Sequence, residues 1–206
     1  MTIGITGGIG SGKSFVSRLL AEHFGVPVYD CDREARRLMN ESPTLRRQLT
    51  ALVGADVYSP DGQLCKAAMI RYLFASDDHA AAVNAIVHPL VRQDFHQWAG
   101  QRLSSLASRS SVPNVVAVES ALLVEAGMAS DVDSVWLVTA PESLRIRRAM
   151  QRDGATEVAV RERMARQLPE DRLRQMADVV IENDGRDLLP QISELIHSLK
   201  DSYNHA

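Results

Sequence analysis

The alternation of apolar and polar positions predicts strands and helices that follow one another along most of the chain. Short, almost continuous apolar runs are typical of strands covered on both faces, and apolar residues three and four positions apart indicate helices. The runs predict strands at 3–6, 26–30, 114–119, 134–139 and 178–182. The spacing predicts helices at 13–24, 33–40, 66–74, from 79 onward, and at 141–152, 157–168 and 188–200. This order predicts a doubly wound α/β fold with a five-stranded parallel sheet.

Two of these helices allow predictions about single residues. The helix at 13–24 carries positions spaced for one buried stripe and is expected to end at Gly25. The stripe consists of Phe15, Val16, Leu19, Leu20 and His23. In the second helix, at 33–40, the carboxylate of Asp32 is placed to cap the N-terminus.

Residues 43–110 interrupt the alternation. They lack a strong strand signal except around Val57 and Tyr58, carry a turn at 59–62, and have helical spacing in much of the remainder. We therefore expect a helical subdomain at 43–110, inserted into a core formed by 1–42 and 111–206.

Composition is that of a globular protein with an ordinary core. The chain has 206 residues, of which 45% are apolar and 24% charged, enough for an α/β domain with an inserted subdomain. No apolar stretch approaches the ~20 residues that span a bilayer, because Glu119 and Glu125 interrupt the most hydrophobic segment. No secretion signal is evident. Cys31 and Cys65 lack metal-ligand spacing, so we expect a reducing, cytoplasmic compartment.

Charge argues against a polyanionic partner but leaves one question open. The net charge is −3, without a long block of like charge, so neither nucleic acid nor a membrane surface is expected as a partner. Of the 23 basic residues 20 are Arg, and nine of these fall within 145–174. This segment either grips phosphate groups or forms a solvated helical face paired with carboxylates. The candidate partners are Glu157, Glu162, Glu170 and Asp171.

A glycine-rich stretch between the first strand and the first helix carries the strongest chemical signal. Residues 7–14, Gly-Gly-Ile-Gly-Ser-Gly-Lys-Ser, match the spacing G-x-x-x-x-G-K-S of a phosphate-binding loop. Backbone N–H groups in such a loop, at a helix N-terminus, form an anion cradle. Lys13 is expected to reach the β and γ phosphates of a nucleoside triphosphate, and Ser14 to bind Mg²⁺.

Other segments narrow the reaction. The three lysines of the chain all lie outside any Asn- or Thr-Lys-x-Asp segment typical of GTPases. The strand at 114–119 ends in one carboxylate, Glu119, rather than the acidic pair of a motor or transporter ATPase. A small-molecule kinase remains, and Asp32 after the second strand is placed to orient an acceptor hydroxyl. This role is compatible with helix capping.

Together the motifs resemble the dephospho-CoA kinase family over nearly the whole chain. The matching segments are 6–14, 28–32 with Arg36, 61–62, 84–89, 122–125, 148–153, Gln167, 177–181 and 183–185. The resemblance implies a P-loop kinase three-layer fold with an inserted helical CoA domain and an Arg-rich helical lid at 145–175. It also implies ATP- and Mg²⁺-dependent phosphorylation of the ribose 3'-hydroxyl of dephospho-CoA, the last step of coenzyme A synthesis. The oligomeric state stays open, with a monomer expected.

The same resemblance assigns roles to individual residues. The catalytic residues are Lys13, Asp32 and Arg148. The nucleotide-binding residues are Gly8, Ile9, Gly10, Ser11, Gly12, Lys13, Ser14, Phe15, Arg152, Asn183 and Gly185. The substrate-binding residues are Asp32, Arg36, His88, Glu119 and Leu122, and the metal ligand is Ser14. For His88, capping a helix or filling a core position are the alternatives to substrate contact.

The chain departs from the family pattern in two places. Residues 119–125 are Glu-Ser-Ala-Leu-Leu-Val-Glu, where the family usually has Asp-x-Pro-Leu-Leu-Phe-Glu, which puts the substrate-side geometry in question. Phe15 stands where Thr is usual and is interpreted as a packing change. Two other functions stay open: a kinase for another small alcohol or nucleotide, and an ATP-binding interaction module without transferase activity.

Overall fold

The chain divides into two compact units, and the first is built on a five-stranded parallel sheet. The computed structural model describes residues 1–107 and 114–204, with side chains through residue 199. The strands are Thr2–Thr6 (β1), Val28–Asp30 (β2), Val116–Glu119 (β3), Ser134–Thr139 (β4) and Val179–Glu182 (β5). Their order in the sheet is β2-β3-β1-β4-β5, so β1 is the central strand.

Nine α-helices lie in the described residues. They are Lys13–Phe24 (α1), Cys31–Glu41 (α2), Pro43–Val53 (α3), Lys66–Leu73 (α4), Asp77–Leu106 (α5), Glu142–Asp153 (α6), Glu157–Ala165 (α7), Glu170–Met176 (α8) and Leu189–Asn204 (α9). The predicted α/β class is confirmed, and the bounds predicted for α1 and β4 are the observed ones. In the described part of the chain, no helix is long and apolar enough to span a bilayer.

The sheet of the first unit, 1–29 and 99–206, is covered on both faces. Every residue of β4 is buried, and Ile3 of β1 pairs with Ala117 of β3 and Ser134 of β4. Residues of α1 and α9, including Leu20 and Ile192, pack into the same apolar cluster as the strands. Burial on both faces is the reason that these strands show continuous apolar runs rather than alternation.

The apolar stripe of α1 is narrower than its sequence predicts. Val16, Leu19 and Leu20 are buried, but Phe15 is 43% exposed and His23 is also exposed. The prediction is wrong for these two, which lie in the first and last turns. His23 lies in the last turn of α1, where the helix dipole favours a basic side chain near the C-terminal carbonyl groups. The helix ends at Gly25, which adopts the left-handed conformation, as predicted.

The second unit, 30–98, contains α2, α3, α4 and most of α5. The unit begins before the predicted residue 43 because it includes α2. It ends at residue 98, and the predicted limit at residue 110 lies outside the described residues. The α3 helix, which no prediction included, starts at Pro43 with Ser42 as its cap. The predicted turn at 59–62 is confirmed by a hydrogen bond from the N–H of Gly62 to the Ser59 carbonyl oxygen.

Helix α2 begins two residues earlier than predicted, which changes its cap. The carboxylate of Asp30 accepts a hydrogen bond from the N–H of Arg33 at 3.0 Å. Asp32 is therefore not the N-cap, and the prediction that it caps the helix is wrong. Asp32 lies exposed in the first turn, where its charge is favourable to the helix dipole without being used as a cap.

The Arg-rich segment of the first unit forms three helices instead of the predicted two. Helix α6 packs on α7 through Ile146, Ala149 and Val160. The helix predicted at 157–168 ends at Ala165, and α8 begins after Pro169. Proline fixes φ near the helical value and lacks an N–H, so it is well suited to begin a helix and poorly suited to continue one.

Candidate active site

A glycine-rich loop joins the central strand β1 to α1. Gly7, Gly10 and Gly12 have φ values of 143°, 76° and 100°, which other residues rarely adopt. A Cβ atom on Gly10 would lie 2.1 Å from the carbonyl oxygen of Arg145, and one on Gly12 would lie 2.0 Å from Nδ2 of Asn183. The loop therefore requires glycine at these positions both for its backbone conformation and for its close packing.

The two polar residues that follow the loop are both engaged in hydrogen bonds. Lys13 donates from Nζ to the carbonyl oxygens of Gly7 at 2.8 Å and Gly8 at 3.3 Å. Ser14 donates from its hydroxyl to Oε1 of Glu119, the last residue of β3, at 2.7 Å. The ammonium group is thus held at the loop backbone, and the Ser14 hydroxyl joins the loop end to the carboxylate that ends β3.

Asn183 and Arg148, to which the resemblance assigns nucleotide binding and catalysis respectively, lie beside this loop. Asn183 is 5% exposed and donates from Nδ2 to the Ser11 carbonyl oxygen at 2.8 Å. Arg148 donates to the carbonyl oxygen and to Oδ1 of Asn183, each at 3.2 Å. Because both acceptors are neutral, these bonds leave the charge of the guanidinium available for an anion.

Arg152, which lies on α6 like Arg148, has a different environment. Its side chain is 63% exposed and pairs with Asp153 at 2.7 Å. Arg163 binds the other carboxylate oxygen at 2.7 Å. Hydrogen bonds from these two guanidinium groups hold the pKa of Asp153 well below its usual range. Arg152 therefore already has a strong anionic partner.

The question about the Arg-rich segment now has an answer for several of its members. Arg161 pairs with Glu142 and Glu157, and Arg145 and Arg174 both pair with Glu170. A solvated face paired with carboxylates, the second of the two explanations, describes Arg161 and Arg174, whereas Arg145 pairs with a carboxylate but is only 11% exposed. Arg148 differs from them because its described hydrogen bonds go to neutral oxygens.

A cavity of about 790 Å³ opens next to the loop within the first unit. Among its lining residues are Thr139, Arg145, Met164, Gln167, Glu170 and Asn183. Burial raises the pKa of Glu170, but hydrogen bonds from Thr139 and Arg174 and the charge of Arg145 outweigh it, so the pKa is lowered. Glu170 is therefore an ionised anchor in the wall of this cavity at neutral pH.

The remaining predicted residues of the first unit have varied positions. Leu122 is half-buried, and its N–H donates to the hydroxyl of Ser120. Gly185 has a φ of 108° and open space around its Cβ position. Phe15 is 43% exposed, and its interpretation as a packing change stays a prediction.

Three predicted residues belong to the second unit. Asp32 and Arg36 are exposed on α2. His88 is half-buried inside α5, directly before Pro89, which also lies inside the helix. His88 is therefore not a helix cap, and its proposed contact with substrate stays a prediction.

Sequence reasoning missed two contacts of the loop. Ile9 donates its N–H to Oε1 of Gln167 at 2.8 Å, and its carbonyl oxygen accepts from Nε of Arg145 at 3.1 Å. Gln167 is one of the residues that match the family, but the match gives it no role. Arg145 is one of nine arginines in its segment. These contacts join residues more than a hundred positions apart, so no local sequence pattern predicts them.

The comparisons with known proteins agree with this geometry. The family model described as dephospho-CoA kinase matches residues 1–188. The dephospho-CoA kinase of Bacteroides fragilis strain YCH46 is 44% identical over 195 residues, which cover 94% of this chain and 90% of that protein. The enzyme of Porphyromonas gingivalis is 42% identical over 202 residues, covering 97% and 95%. The chain belongs to the dephospho-CoA kinase family. It is accordingly an ATP-dependent kinase, and the resemblance seen in its motifs is confirmed.

A solved structure supports the fold. The chain superposes on a dephospho-CoA kinase from Campylobacter jejuni with a TM-score of 0.68, at 18% identity and with 98% of each chain covered. This similarity confirms the P-loop kinase architecture predicted from the sequence.

Replacing Gly10 by Ala is expected to destabilise the protein by about 2 kcal/mol, since a positive φ and a clash with a backbone oxygen act together. The free energy of unfolding, measured by denaturant titration, checks this. Gly100→Ala is the matched control: Gly100 lies inside α5 with open space around its Cβ position, and the change is expected to stabilise by roughly 0.5–1 kcal/mol. Equal stabilities for the two variants would contradict the packing described for the loop.

Proposed function

We propose that this kinase transfers the γ-phosphoryl group of ATP to the ribose 3'-hydroxyl of dephospho-CoA, giving CoA and ADP. The observation that carries the proposal is the glycine loop at the carboxyl end of the central strand, with Lys13 held at its backbone and Ser14 against Glu119. Open α/β sheets bind ligands at this edge. The family membership names the acceptor that the loop itself does not identify.

We propose that Mg²⁺ accompanies ATP in this site. Magnesium prefers hard oxygen ligands and is usually held by one or two carboxylates together with phosphate oxygens and water. The Ser14 hydroxyl and the Glu119 carboxylate, which lie 2.7 Å apart, have the chemistry of such a site. The ion would neutralise part of the charge on the phosphates. Among the described residues, no group of three or more His, Cys, Asp or Glu side chains is arranged to hold a metal ion.

The proposed roles of the charged residues follow from where charge changes during the transfer. Lys13 stabilises negative charge on the transferred group, and Arg148 adds a second cation from α6. Residues 8–12 form the cradle for the phosphates, to which Gly10 and Gly12 turn their backbone N–H groups. The N–H groups of Ile9 and Ser11 instead hold the loop together through Gln167 and the Gly8 carbonyl oxygen. Asn183, Gly185 and Arg152 are the proposed contacts of the nucleotide beyond the loop. Closure of the Arg-rich segment over the site would exclude water.

The acceptor side of the proposal depends on the helical unit. Asp32, exposed in the first turn of α2, orients the acceptor hydroxyl for attack. Arg36, His88, Glu119 and Leu122 are the residues proposed to contact the rest of dephospho-CoA. We further propose a monomer in a reducing, cytoplasmic compartment, which suits the two free cysteines.

Replacing Arg148 by Ala is expected to reduce turnover by at least about tenfold, a loss near 1.4 kcal/mol in transition-state stabilisation. Steady-state kinetics with ATP and dephospho-CoA measure it. Arg147→Ala is the control because Arg147 is an exposed neighbour on the same helix. A smaller loss in the Arg148 variant, or the same loss in both variants, would contradict the charge-stabilising role.

The reaction itself is tested with purified protein, ATP, Mg²⁺ and dephospho-CoA, followed by mass spectrometry of the products. Adenosine, AMP and pantothenate serve as competing acceptors. CoA formed only from dephospho-CoA is the expected result. Phosphate transferred to another acceptor instead would indicate a different small-molecule kinase, and ATP binding without any transfer would favour an interaction module.

A further inference from the structure

The phosphate-binding loop is held from outside by side chains that come from three distant segments. Arg145 in α6 donates from Nε to the carbonyl oxygen of Ile9 at 3.1 Å. Gln167, between α7 and α8, accepts a hydrogen bond from the N–H of Ile9 at 2.8 Å. Asn183, after β5, donates to the carbonyl oxygen of Ser11 at 2.8 Å. Both polar groups of the Ile9 backbone are therefore bonded to side chains outside the loop.

These bonds determine where the next N–H groups point. The described peptide bonds are all trans, and across a trans peptide the C=O of one residue and the N–H of the next point in opposite directions. Because Arg145 holds the Ile9 carbonyl, the Gly10 N–H points away from Arg145. The bond from Asn183 likewise turns the Gly12 N–H away from that side chain. An anion-binding loop needs its N–H groups presented in this way.

The opposite side of the loop has the complementary pattern. The carbonyl oxygen of Gly8 accepts hydrogen bonds from the N–H of Ser11 at 3.1 Å and from Nζ of Lys13 at 3.3 Å. This carbonyl belongs to the same peptide as the N–H of Ile9, which Gln167 holds. The Gln167 side chain and the Lys13 ammonium therefore bind opposite edges of the Gly8–Ile9 peptide group.

Arg145 is itself fixed in place. Its side chain is 11% exposed, and Nη1 donates to Oε2 of Glu170 at 3.1 Å. Glu170 also accepts hydrogen bonds from Thr139 and Arg174. The guanidinium packs against Gly8, where a Cβ atom would lie 1.9 Å from Nη2. A buried, bonded guanidinium keeps one orientation and can therefore hold a peptide group firmly.

We propose that Arg145, held by Glu170, is a positioning residue of the kinase reaction: it orients the Ile9–Gly10 peptide so that the loop binds the phosphates of ATP. This inference rests on the proposed function and adds to it a residue for which the motifs assign no role. Arg145 acts through the loop backbone, whereas Lys13 and Arg148 are proposed to meet the phosphates themselves.

The test compares full-length variants in nucleotide binding and in kinetics. Affinity for the non-hydrolysable analogue β,γ-imido-ATP with Mg²⁺ is measured by calorimetry. Arg145→Gln is expected to weaken it about tenfold, as the loss of a hydrogen bond from a charged group predicts. The KM for ATP is expected to rise by a similar factor, and the KM for dephospho-CoA to change less than about twofold, because the loop does not bind the acceptor.

Two further variants separate geometry from charge. Arg145→Lys keeps the charge but lacks the planar fork that reaches both Ile9 and Glu170, so its affinity is expected to stay several-fold below that of the wild type. Glu170→Gln is expected to weaken binding in the same direction. Because both residues act through one contact, the double variant with Arg145→Gln is expected to bind about as well as Arg145→Gln alone.

Arg71→Gln is the control, since Arg71 forms an exposed ion pair with Asp56 in the second unit, whereas the loop and the cavity belong to the first. Its affinity is expected to remain within about twofold of the wild type. The proposal is overturned if Arg145→Gln binds as well as this control, if Arg145→Lys restores full affinity, or if both KM values rise equally. Should Arg145→Gln fail to fold by circular dichroism, the Lys and Glu170 variants decide. A wild type that binds the analogue but does not phosphorylate dephospho-CoA overturns the proposed function alone.

Discussion

Replacing Lys13 by Ala is expected to lower kcat/KM by about a thousandfold, the upper range for one preorganised electrostatic group. In the structure Nζ lies 2.8 Å from the Gly7 carbonyl oxygen and 3.3 Å from that of Gly8, so the loop backbone itself holds the charge in place. Preorganisation of this kind costs no rearrangement when charge develops on the transferred group. Initial rates with ATP, Mg²⁺ and dephospho-CoA, followed as CoA formed, measure the loss.

The fold of this variant should survive, because Ala has the highest helix propensity and Lys13 begins α1. Two controls complete the experiment. Lys66→Ala removes another positive charge, from an exposed position at the start of α4, and is expected to keep nearly full activity. Lys13→Arg keeps the charge on a larger planar group and is expected to recover little activity. Activity of Lys13→Ala within tenfold of the wild type would contradict the role proposed for the ammonium group.

How far the fold could be predicted depends on whether an element carries its own signals. The helix α1 has left-handed glycines at both ends, Gly12 and Gly25, and a clear apolar face, so its bounds are visible in the sequence. Helix α3 buries Leu45 and Leu49, and α8 buries Leu173. In α3 the apolar residues Leu45, Leu49, Leu52 and Val53 do have helical spacing after the Ser42 cap, so the prediction missed a signal that the sequence carries. Only α8, with seven residues, is too short to show a periodicity.

The candidate site also contains a part that the sequence predicts and a part that it does not. The phosphate loop is contiguous and its glycines are dictated by local backbone conformation, so the motif predicts it directly. The bond from Arg145 to Ile9 spans 136 positions, and that from Ile9 to Gln167 spans 158. Only the folded sheet and the helices after β4 bring these groups together. Composition identifies an Arg-rich segment, but tertiary structure decides which Arg serves the loop.

The choice between Asp30 and Asp32 as helix cap shows the same limit at short range. Both carboxylates are suitable caps, and their propensities are identical. The strand β2 continues to Asp30, so the helix begins directly after it and Asp30 becomes the cap. The structure therefore assigns the local role to one carboxylate and leaves the other exposed.

Replacing Asp32 by Asn is expected to reduce turnover by a factor of about 10² to 10⁴, the usual range for loss of a positioned acid or base. The amide has the shape of the carboxylate but cannot accept the proton of the attacking hydroxyl or attract it with a full charge. Binding of β,γ-imido-ATP is expected to remain within about twofold of the wild type, because phosphate binding depends on the loop and its cations rather than on α2. Rapid-quench measurement of CoA formation from bound substrates separates transfer from product release.

Asp30→Asn is the matched control, since it makes the same chemical change two residues away. Asn caps helices about as well as Asp, so stability and turnover are expected to stay close to those of the wild type. The comparison decides which carboxylate serves the reaction: a loss confined to the Asp30 variant would transfer the role to that residue. If Asp32→Asn instead lost the nucleotide analogue along with transfer, Asp32 would be supporting the nucleotide site, and the proposed role in orienting the acceptor would be wrong.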